Sequence, residues 1–428
     1  MGGLELHWRN KSRFGWCLGS VLDLMLLPAA VLFPRNKRKI VFGAWFGRQY
    51  SCNPRYLMEY VLSRGGFECV WIGEQHLKDE VLKAKGAKFA VKGSLSALWH
   101  CLTAGIGAYN VSWMNDFGWI PCCGRAKLLY LTHGSPDKKT GKLQLDGRGV
   151  SAATIPVRQK SLFRRIVAGW MARLHEFCYR ESAWCSATSP IGEEIRLANM
   201  PFRLSRERML HCGTPRFDFM IHHAKDEAMH RALREKYARI LGLPEDKRWV
   251  LYVPTWRHND KDVFSFTKAT QFDRFQSLME KDGFILVEKH HPLILERGIV
   301  RGGRIGHVFV VSREQSLHID MQEFLLASDR LITDYSSIYY DFYLINRPVV
   351  HFIYDYDHFM NVDMGFNFDI REYGGGPFAE TEEALLNCLA MTDEELLARR
   401  SEKTREHLTY ETGHACEGYY ELLERLAK

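Results

Sequence analysis

The sequence predicts an α/β protein, on the evidence of its alternating segments, the character of its apolar runs and its length. From Lys39 onward, short β-rich runs alternate with longer amphipathic stretches, such as residues 160–179 and 225–241, which is typical of parallel sheets flanked by helices. Several runs are continuously apolar, as expected for strands that are buried on both faces of a sheet. With 428 residues, the chain is longer than a usual single domain, so we expect two or more domains.

The first element is an apolar stretch, FGWCLGSVLDLMLLPAAVLF, at residues 14–33. It is long enough to cross a bilayer, but a spanning helix would bury Asp23 and contain Pro28. A helix lying at the membrane interface leaves Asp23 in water, and the basic residues at both ends suit an anionic membrane surface. We therefore expect residues 1–37 to associate with a membrane as an interfacial helix. A spanning helix, a signal peptide and a buried core helix are the alternatives.

Nine apolar runs follow, and each is predicted to be a strand. They are KIVFGAWF (39–46), CVWIG (69–73), KLLYLTHG (127–134), AWCSATS (183–189), WVLYVPTW (249–256), FILVEKHH (284–291), HVFVVS (307–312), RLITDYSS (330–337) and VVHFIYD (349–355). A polar helical region at about residues 222–247 separates them into two groups. We therefore expect two α/β halves, residues 38–225 and 226–428, that face a cleft with a ligand at the carboxyl ends of the strands.

Composition narrows the possible partners. Lys and Arg (58) outnumber Asp and Glu (51), which gives a net charge of +7 and suits nucleic acid, anionic lipid or phosphorylated substrates. The basic residues are dispersed apart from the N-terminal clusters, so no nucleic-acid partner is expected. The 11 cysteines are scattered without CxxC spacing, which predicts reduced thiols in a cytosolic compartment rather than a disulfide framework or a zinc site.

The polar residues that end the strands are the candidates for a functional site. After the third run, His133 projects an imidazole from a strand end, although a hydrogen-bonded structural histidine is an equally good interpretation. After the fifth run, Arg257 is placed to bind phosphate through two hydrogen bonds, and a plain surface arginine is the alternative. After the sixth run, Pro292 holds His291 in an extended conformation. Adjacent His290 and His291 point to opposite faces of a strand, which disfavours a metal site.

The eighth run ends in TDYSS, at residues 333–337, and a helical pattern follows. Asp and Ser are typical N-cap residues, and the free amides of a helix N-terminus bind phosphate. A plain helix cap without a ligand is the alternative. The sequence contains no GxGxxG or Walker segment, so neither dinucleotide nor P-loop chemistry is indicated.

These segments resemble, in the same order, the motifs of the CDP-glycerol glycerophosphotransferase family, the teichoic-acid and capsule alditol-phosphate polymerases. TDYSSIYYDFYLINRPVVHFIYD (333–355) closely resembles the family signature. THGSP (132–136), GTPRFD (213–218), YVPTWR (252–257) and KHHP (289–292) are similar to its other motifs, and residues 41–62 resemble its first βα unit. The resemblance covers about residues 38–380, and ordered motifs are far more specific than any single one.

The resemblance implies a GT-B type fold, with a Rossmann-like acceptor domain at residues 38–225 and a Rossmann-like CDP-alditol donor domain at residues 226–428. It implies transfer of glycerol phosphate, or another alditol phosphate, from CDP-glycerol or CDP-ribitol to a hydroxyl of a lipid-linked or polymer acceptor, with release of CMP. The expected location is peripheral, at the cytoplasmic face of the bacterial cell membrane. No cofactor is expected, and a divalent metal is left open because no DxD-like motif lies in the matched segments.

By the same resemblance, His133 and His291 are the essential histidines, with His133 as the base for the acceptor hydroxyl and His291 at the donor. The predicted substrate-binding residues are Gly134, Ser135, Lys138, Thr255, Arg257, Lys289, Thr333, Asp334, Ser336 and Ser337. Thr132, Ser135 and Asp137 depart from the family pattern, which leaves the acceptor open.

Two other functions compete with this one. The first is a GT-B nucleotide-sugar glycosyltransferase or an epimerase of the same architecture, which a panel of CDP-, UDP- and GDP-linked donors would distinguish. The second is a membrane-bound scaffold without activity, and the intact His133, His291 and Asp334 argue against it.

Overall fold

Two seven-stranded sheets organise the part of the chain that the structure describes. The structure is a computed structural model, and it describes residues 25, 30–111, 113–118, 125–139, 183–199, 204–257 and 263–428. All nine predicted strands are present, and the α/β prediction is confirmed. The five strands that were not predicted are short or rich in glycine, which removes the apolar run on which the prediction depends.

The first compact unit comprises the described residues within 1–133, 140–216 and 410–428. Its sheet is parallel throughout and has the order β3-β2-β1-β4-β5-β6-β7. The strands are β1 Asn36–Gly43, β2 Glu68–Gly73, β3 Lys88–Val91, β4 Ala104–Tyr109, β5 Lys127–Tyr130, β6 Trp184–Ser186 and β7 Met209–Leu210. The order reverses between β1 and β4, and the carboxyl ends of such a strand pair are the usual place for a ligand.

The second unit comprises residues 134–139 and the described residues within 217–409. Its sheet has the order β10-β11-β9-β8-β12-β13-β14, in which only β10 is antiparallel to its neighbour. The strands are β8 Arg248–Tyr252, β9 Phe284–Glu288, β10 Gly303–Ile305, β11 Val308–Val310, β12 Arg330–Thr333, β13 Val349–Phe352 and β14 Phe378–Ala379. Here the order reverses between β8 and β12, so their carboxyl ends flank the switch point of this sheet.

Helices cover both faces of each sheet. They are α1 Cys52–Arg64, α2 Lys78–Val81, α3 Leu95–Thr103, α4 Trp113–Phe117, α5 Pro190–Asn199, α6 Pro215–His222, α7 Glu227–Leu241, α8 Phe272–Lys281, α9 Pro292–Glu296, α10 Arg313–Ser316, α11 Met321–Leu326, α12 Ile338–Leu344, α13 Tyr356–Asn361, α14 Glu382–Leu389, α15 Asp393–Ala398 and α16 Ala415–Ala427. Each sheet contributes to two apolar clusters, one on each face. Burial on both faces explains why the runs are continuously apolar.

Helix α7 shows how the local sequence sets the bounds of an element. The Asp226 carboxylate accepts a hydrogen bond from the Met229 amide at 3.0 Å, which caps the first turn. Gly242 ends the helix in the left-handed conformation, with a φ of 71°. Between them, Leu233, Tyr237 and Leu241 are buried. The amphipathic stretch predicted at residues 160–179 lies outside the described residues.

The division of the chain differs from the predicted bounds of 38–225 and 226–428 in three places. The first unit ends at Arg216, ahead of the predicted bound. Residues 134–139 belong to the second unit, and residues 410–428 return to the first unit. The return is driven by the apolar face of α16, where Tyr419, Leu422 and Leu423 are buried in the same cluster as the first strands.

The segment predicted to associate with a membrane, residues 1–37, lies mostly outside the described residues. Its last two residues, Asn36 and Lys37, form the start of β1 instead. Among the described residues, no helix combines the length and the apolar character that a membrane span needs. The described cysteines are all free thiols.

Candidate active site

A buried ion pair joins the ends of β8 and β12 at the switch point of the second unit. Arg257 is 2% exposed and Asp334 is 0% exposed, and Arg257 Nη2 lies 2.8 Å from Asp334 Oδ2. Arg257 Nε also donates to Asp355 Oδ2 at 2.8 Å, just beyond β13. The guanidinium predicted to contact phosphate is therefore engaged by two protein carboxylates. Its observed role is to fix three neighbouring loops.

Asp334 uses its other carboxylate oxygen to order the backbone. Oδ1 accepts hydrogen bonds from the amides of Thr255, at 2.8 Å, and Tyr335, at 2.5 Å. Burial raises the pKa of Asp334, but the positive charge of Arg257 and the bond from Thr255 outweigh it, so the pKa lies below its ordinary value. The carboxylate is therefore an anion that sets the conformation of both loops.

Thr333 and His351 hold the same turn from inside the sheet. The Thr333 hydroxyl is buried and donates to the carbonyl of Val253 at 2.7 Å. His351 Nδ1 donates to the carbonyl of Asp334 at 3.1 Å, and its Nε2 accepts from the Gly375 amide at 3.0 Å. Burial lowers the pKa of His351 to about 4, so the ring is neutral. Sequence reasoning missed His351, which lies inside the matched signature segment.

Residues 134–139, here called the strap, bring Lys138 to this site. The Asn367 amide donates to the carbonyl of Asp137 at 2.8 Å, which holds the strap to the second unit. Lys138 Nζ donates to the Thr255 hydroxyl at 3.1 Å. Burial lowers the pKa of Lys138 to about 8, although the charge of Asp334 opposes the shift. Lys138 is therefore a desolvated cation beside the loop after β8, and its contact with substrate stays a prediction.

The small residues of the strap and of the turn before α12 lie against each other. A Cβ atom at Gly134 would lie 2.8 Å from Ser337 Oγ, so glycine permits this close approach. Ser337 precedes α12 without a side-chain capping bond, and Ser336 beside it is half-buried. Among the described residues, the buried Ser135 hydroxyl finds no hydrogen-bond partner. Such a group in a native protein calls for a ligand or a water.

The segment after β9 supplies a lysine and a histidine. Burial alone lowers the pKa of Lys289 to about 8. Burial, and then the charge of Lys289, lowers the pKa of His291 to about 4, so its ring is neutral at pH 7. The neighbouring His290 lies 2.7 Å from the buried Glu288 carboxylate through Nε2 and has a structural partner.

A narrow cavity brings three of the predicted residues together in the second unit. Thr255, Arg257 and His291 all line it. The remaining lining residues are mostly apolar or aromatic: Pro254, Trp256, Val263, Phe264, His290, Ile294 and Tyr354. Trp256 and Tyr354 were not predicted, although they lie within or beside the matched motifs. The cavity encloses about 10 Å³, room for about one water molecule, so these residues line a narrow gap rather than a pocket of ligand size.

His133 belongs to the first unit, where its tautomer is fixed. The ring is exposed, and its Nδ1 lies 3.0 Å from the carbonyl of Asn110. Because a carbonyl only accepts, Nδ1 carries the proton in the neutral ring, and Nε2 is the nitrogen that accepts one. The ring also packs against Trp45, with centroids 5.0 Å apart. This arrangement suits a general base.

The turn that carries His133 is held by residues that sequence reasoning did not select. Arg216 Nη1 donates to the carbonyl of His133 at 2.6 Å. Asn53 Nδ2 donates to the carbonyl of Leu131 at 2.7 Å, and Asn53 Oδ1 accepts from the Arg216 amide at 2.9 Å. Thr132 adopts a left-handed φ of 55° in this turn. Arg216 and Asn53 both lie in segments that resemble the family motifs, and this resemblance is the sequence signal by which they could have been found.

Asp116 organises the neighbouring loops of the same unit. It is buried, and its carboxylate accepts from the amides of Phe46 at 2.8 Å and Val111 at 3.0 Å. Phe46 has a left-handed φ of 63°, which this contact stabilises. No sequence signal marked Asp116.

The described part of the chain holds no group of three or more His, Cys, Asp or Glu side chains that is placed to bind a metal ion.

Comparisons with known proteins agree with this picture. The teichoic acid poly(glycerol phosphate) polymerase of Bacillus spizizenii is 26% identical over 84% of this chain and 85% of that protein. The teichoic acid glycerol-phosphate transferase of Staphylococcus aureus is 25% identical over 84% of this chain and 85% of that protein. Both relatives are thus matched over most of their length.

The structure of the wall teichoic acid polymerase TagF superposes with a TM-score of 0.71 at 22% identity, over 96% of this chain and 93% of that one. The fold is therefore a GT-B-like α/β fold with two mostly parallel sheets, similar to that of TagF. The profile of the CDP-Glycerol:Poly(glycerophosphate) glycerophosphotransferase family matches residues 25–425. Because this match spans nearly the whole sequence, the chain belongs to the CDP-glycerol:poly(glycerophosphate) glycerophosphotransferase family.

Proposed function

We propose that the protein transfers glycerol phosphate from CDP-glycerol to a hydroxyl group of a teichoic-acid-type acceptor and releases CMP. The observation that carries this proposal is the pair of desolvated lysines, Lys138 and Lys289, at the carboxyl edge of the second sheet. In open α/β sheets this edge is where nucleotide phosphates bind. Membership of the family supplies the class of donor.

The second unit is proposed to hold the donor diphosphate. Burial is the cause of the lowered pKa of Lys289, and no carboxylate of the described residues offsets it. An incoming diphosphate would supply that missing negative charge. The neutral ring of His291 offers an N–H to a phosphate oxygen. Ser336 and Ser337 offer hydroxyl groups at the start of α12, as the sequence predicts.

In the proposed reaction the acceptor hydroxyl oxygen attacks the β-phosphorus of CDP-glycerol. The bond between this phosphorus and the bridging oxygen breaks, and CMP leaves with the bridging oxygen. The hydroxyl proton passes to Nε2 of His133, the nitrogen that the bond from Nδ1 to the Asn110 carbonyl leaves as the acceptor. Such transfers depend on positioning and charge stabilisation more than on covalent help. The cations of the second unit are proposed to provide that stabilisation.

Residues 1–37 are proposed to attach the enzyme to the cytoplasmic face of the bacterial cell membrane. The support is the apolar stretch at residues 14–33 and the basic residues that flank it. Flotation of the full chain with phosphatidylglycerol vesicles is expected to require this stretch. Flotation unchanged after charged substitutions within it would contradict the proposal.

The decisive experiment measures CMP release from purified protein with CDP-glycerol, CDP-ribitol and a lipid-linked or oligomeric acceptor. CDP-glycerol is expected to be consumed, with a requirement for the acceptor, and CDP-ribitol tests the alternative alditol. UDP-GlcNAc in the same assay tests the epimerase and glycosyltransferase alternatives. Consumption of UDP-GlcNAc with both CDP-alditols left intact would overturn the proposal.

A further inference from the structure

The edge of the second sheet carries a run of positive charge. Strands β10 and β11 form an antiparallel hairpin there, and β10 is the outermost strand. We define residues 297–311 as the basic hairpin, because they contain Arg297, Arg301, Arg304 and His307 and no Asp or Glu. Residues 301–306 are all exposed. A surface of this kind attracts anions.

Arg301 and Arg304 of the hairpin form no ion pair among the described residues, and Arg304 Nε donates to the carbonyl of Gly306, at 2.9 Å. Three other exposed arginines of this unit each pair with a glutamate: Arg274 with Glu383, Arg371 with Glu380 and Arg405 with Glu402. The two hairpin guanidinium groups therefore remain available to an external anion.

The hairpin is closely held, so its arginines project from a fixed backbone. A Cβ atom at Gly306 would collide with the amide of Gln276, and one at Gly302 would lie 2.7 Å from Ser312 Cα. Gln276 Oε1 also accepts from the His307 amide at 2.6 Å. A held backbone needs little further ordering when the hairpin binds a ligand, whereas the exposed arginine side chains still lose rotamer freedom.

The base of the hairpin forms part of the wall of the proposed donor site. Val300 is buried together with Ile294 and Val310, and Trp256 packs against this cluster. Trp256 and Ile294 also line the cavity that contains Arg257 and His291. The base of the hairpin and the donor cavity therefore share apolar wall residues.

We infer that the basic hairpin binds the phosphodiester backbone of a polymeric acceptor, through Arg301 and Arg304. The inference rests on the proposed function, which makes the acceptor a polyanion, and arginine suits phosphate because its donors bind two oxygens at once. A lipid surface fits less well. Ile305, 53% exposed, is the single large apolar side chain exposed in the described hairpin, whereas interfacial segments expose several.

The test compares the parent with the double variant Arg301→Gln/Arg304→Gln. The probe is a fluorescent glycerol phosphate oligomer, and binding is measured without donor. Two phosphate contacts predict about a tenfold fall in affinity when salt rises from about 50 to 200 mM, because counterions are released. The variant is expected to bind the oligomer about tenfold less tightly at the lower salt concentration and to lose this salt dependence.

The matched control is Arg371→Gln/Arg405→Gln, which removes the same charge from paired, exposed arginines of the same unit. It is expected to keep parental affinity. CMP release with a monomeric acceptor is expected to be equal in the parent and the hairpin variant, while turnover with the oligomer falls in the variant alone.

Equal oligomer affinity in the parent and the hairpin variant overturns the inference, as does an equal loss in the control. A loss confined to phosphatidylglycerol vesicles overturns it in favour of a membrane contact. A parent that binds the oligomer through the hairpin but releases no CMP supports the binding surface and contradicts the proposed transfer.

Discussion

The two sheets share the order of six parallel strands, but their carboxyl edges carry different chemistry. In the first unit, an exposed imidazole, His133, is fixed in one tautomer by the Asn110 carbonyl. In the second unit, Arg257 and Asp334 form a buried ion pair, with the desolvated Lys138 close by. We propose that the first edge exchanges a proton and that the second receives negative charge. One topology thus supports two roles, because the strand ends set position and the side chains set chemistry.

The largest expected effect tests the proton-exchanging edge. His133→Gln removes the proposed base, so kcat for CMP release should fall by a factor of about 10²–10⁴. The free energy of unfolding should change little, because the ring is exposed. His211→Gln, at another exposed histidine of the same unit, is the control and should keep parental kcat. A parental kcat in the His133 variant would show that His133 is not the base, and the first edge would then have no proton-exchanging role.

The next effect tests the ion pair of the second edge. Arg257→Ala leaves the carboxylates of Asp334 and Asp355 without their cation, and loss of one partner from a buried pair costs about 3–5 kcal/mol of unfolding free energy. Urea unfolding measures this change. The control is Arg274→Ala, which breaks an exposed pair with Glu383 and should cost less than about 1 kcal/mol. Similar losses in the two variants would show that Arg257 has no special structural role.

A smaller effect concerns pH. The pKa values of Lys138 and Lys289 are lowered to about 8 by burial, so both ammonium groups lose their protons as pH rises through that value. Donor diphosphate binds the protonated forms, so KM for CDP-glycerol should rise above about pH 8, while it stays level between pH 6 and 7.

The variant Lys138→Arg keeps its charge at these pH values. It should therefore reduce the rise in KM and leave the part that Lys289 contributes. A KM that is constant from pH 7 to pH 9 in the parent would contradict the assignment of both lysines to the donor.

The smallest effect distinguishes residues that stabilise the structure of the site from residues that bind substrate. Thr333→Val removes the bond to the Val253 carbonyl and should cost about 1 kcal/mol of unfolding free energy. KM for the donor should stay near the parental value, because the hydroxyl is buried inside the sheet. Thr409→Val, at an exposed position, is the control for stability. A large rise in KM without loss of stability would show that Thr333 binds substrate, as the sequence analysis predicts.

Sequence reasoning predicted more of the fold than of the site. Runs such as FILVE, which forms β9, are buried throughout, so an apolar run sufficed to predict them. Strand β4, AGIGAY, gave no such signal, because a Cβ atom at Gly105 would lie 2.7 Å from the Asn36 carbonyl oxygen and small residues are required there. At the site, the strand-end rule selected Lys138, Thr255 and His291, whose contacts with substrate stay predictions, and it could not separate ligand-binding residues from supporting ones.

What the sequence determined by itself was the α/β class, the nine apolar strands and the ordered motifs, since these depend on local periodicity and on short segments. Only the tertiary structure decided that Arg257 and Asp334 neutralise each other and that the strap of residues 134–139 joins the second unit. It also decided that α16 returns to the first unit. These outcomes depend on contacts between residues far apart in the chain, where burial fixes which charges must be paired, and no local pattern records that pairing.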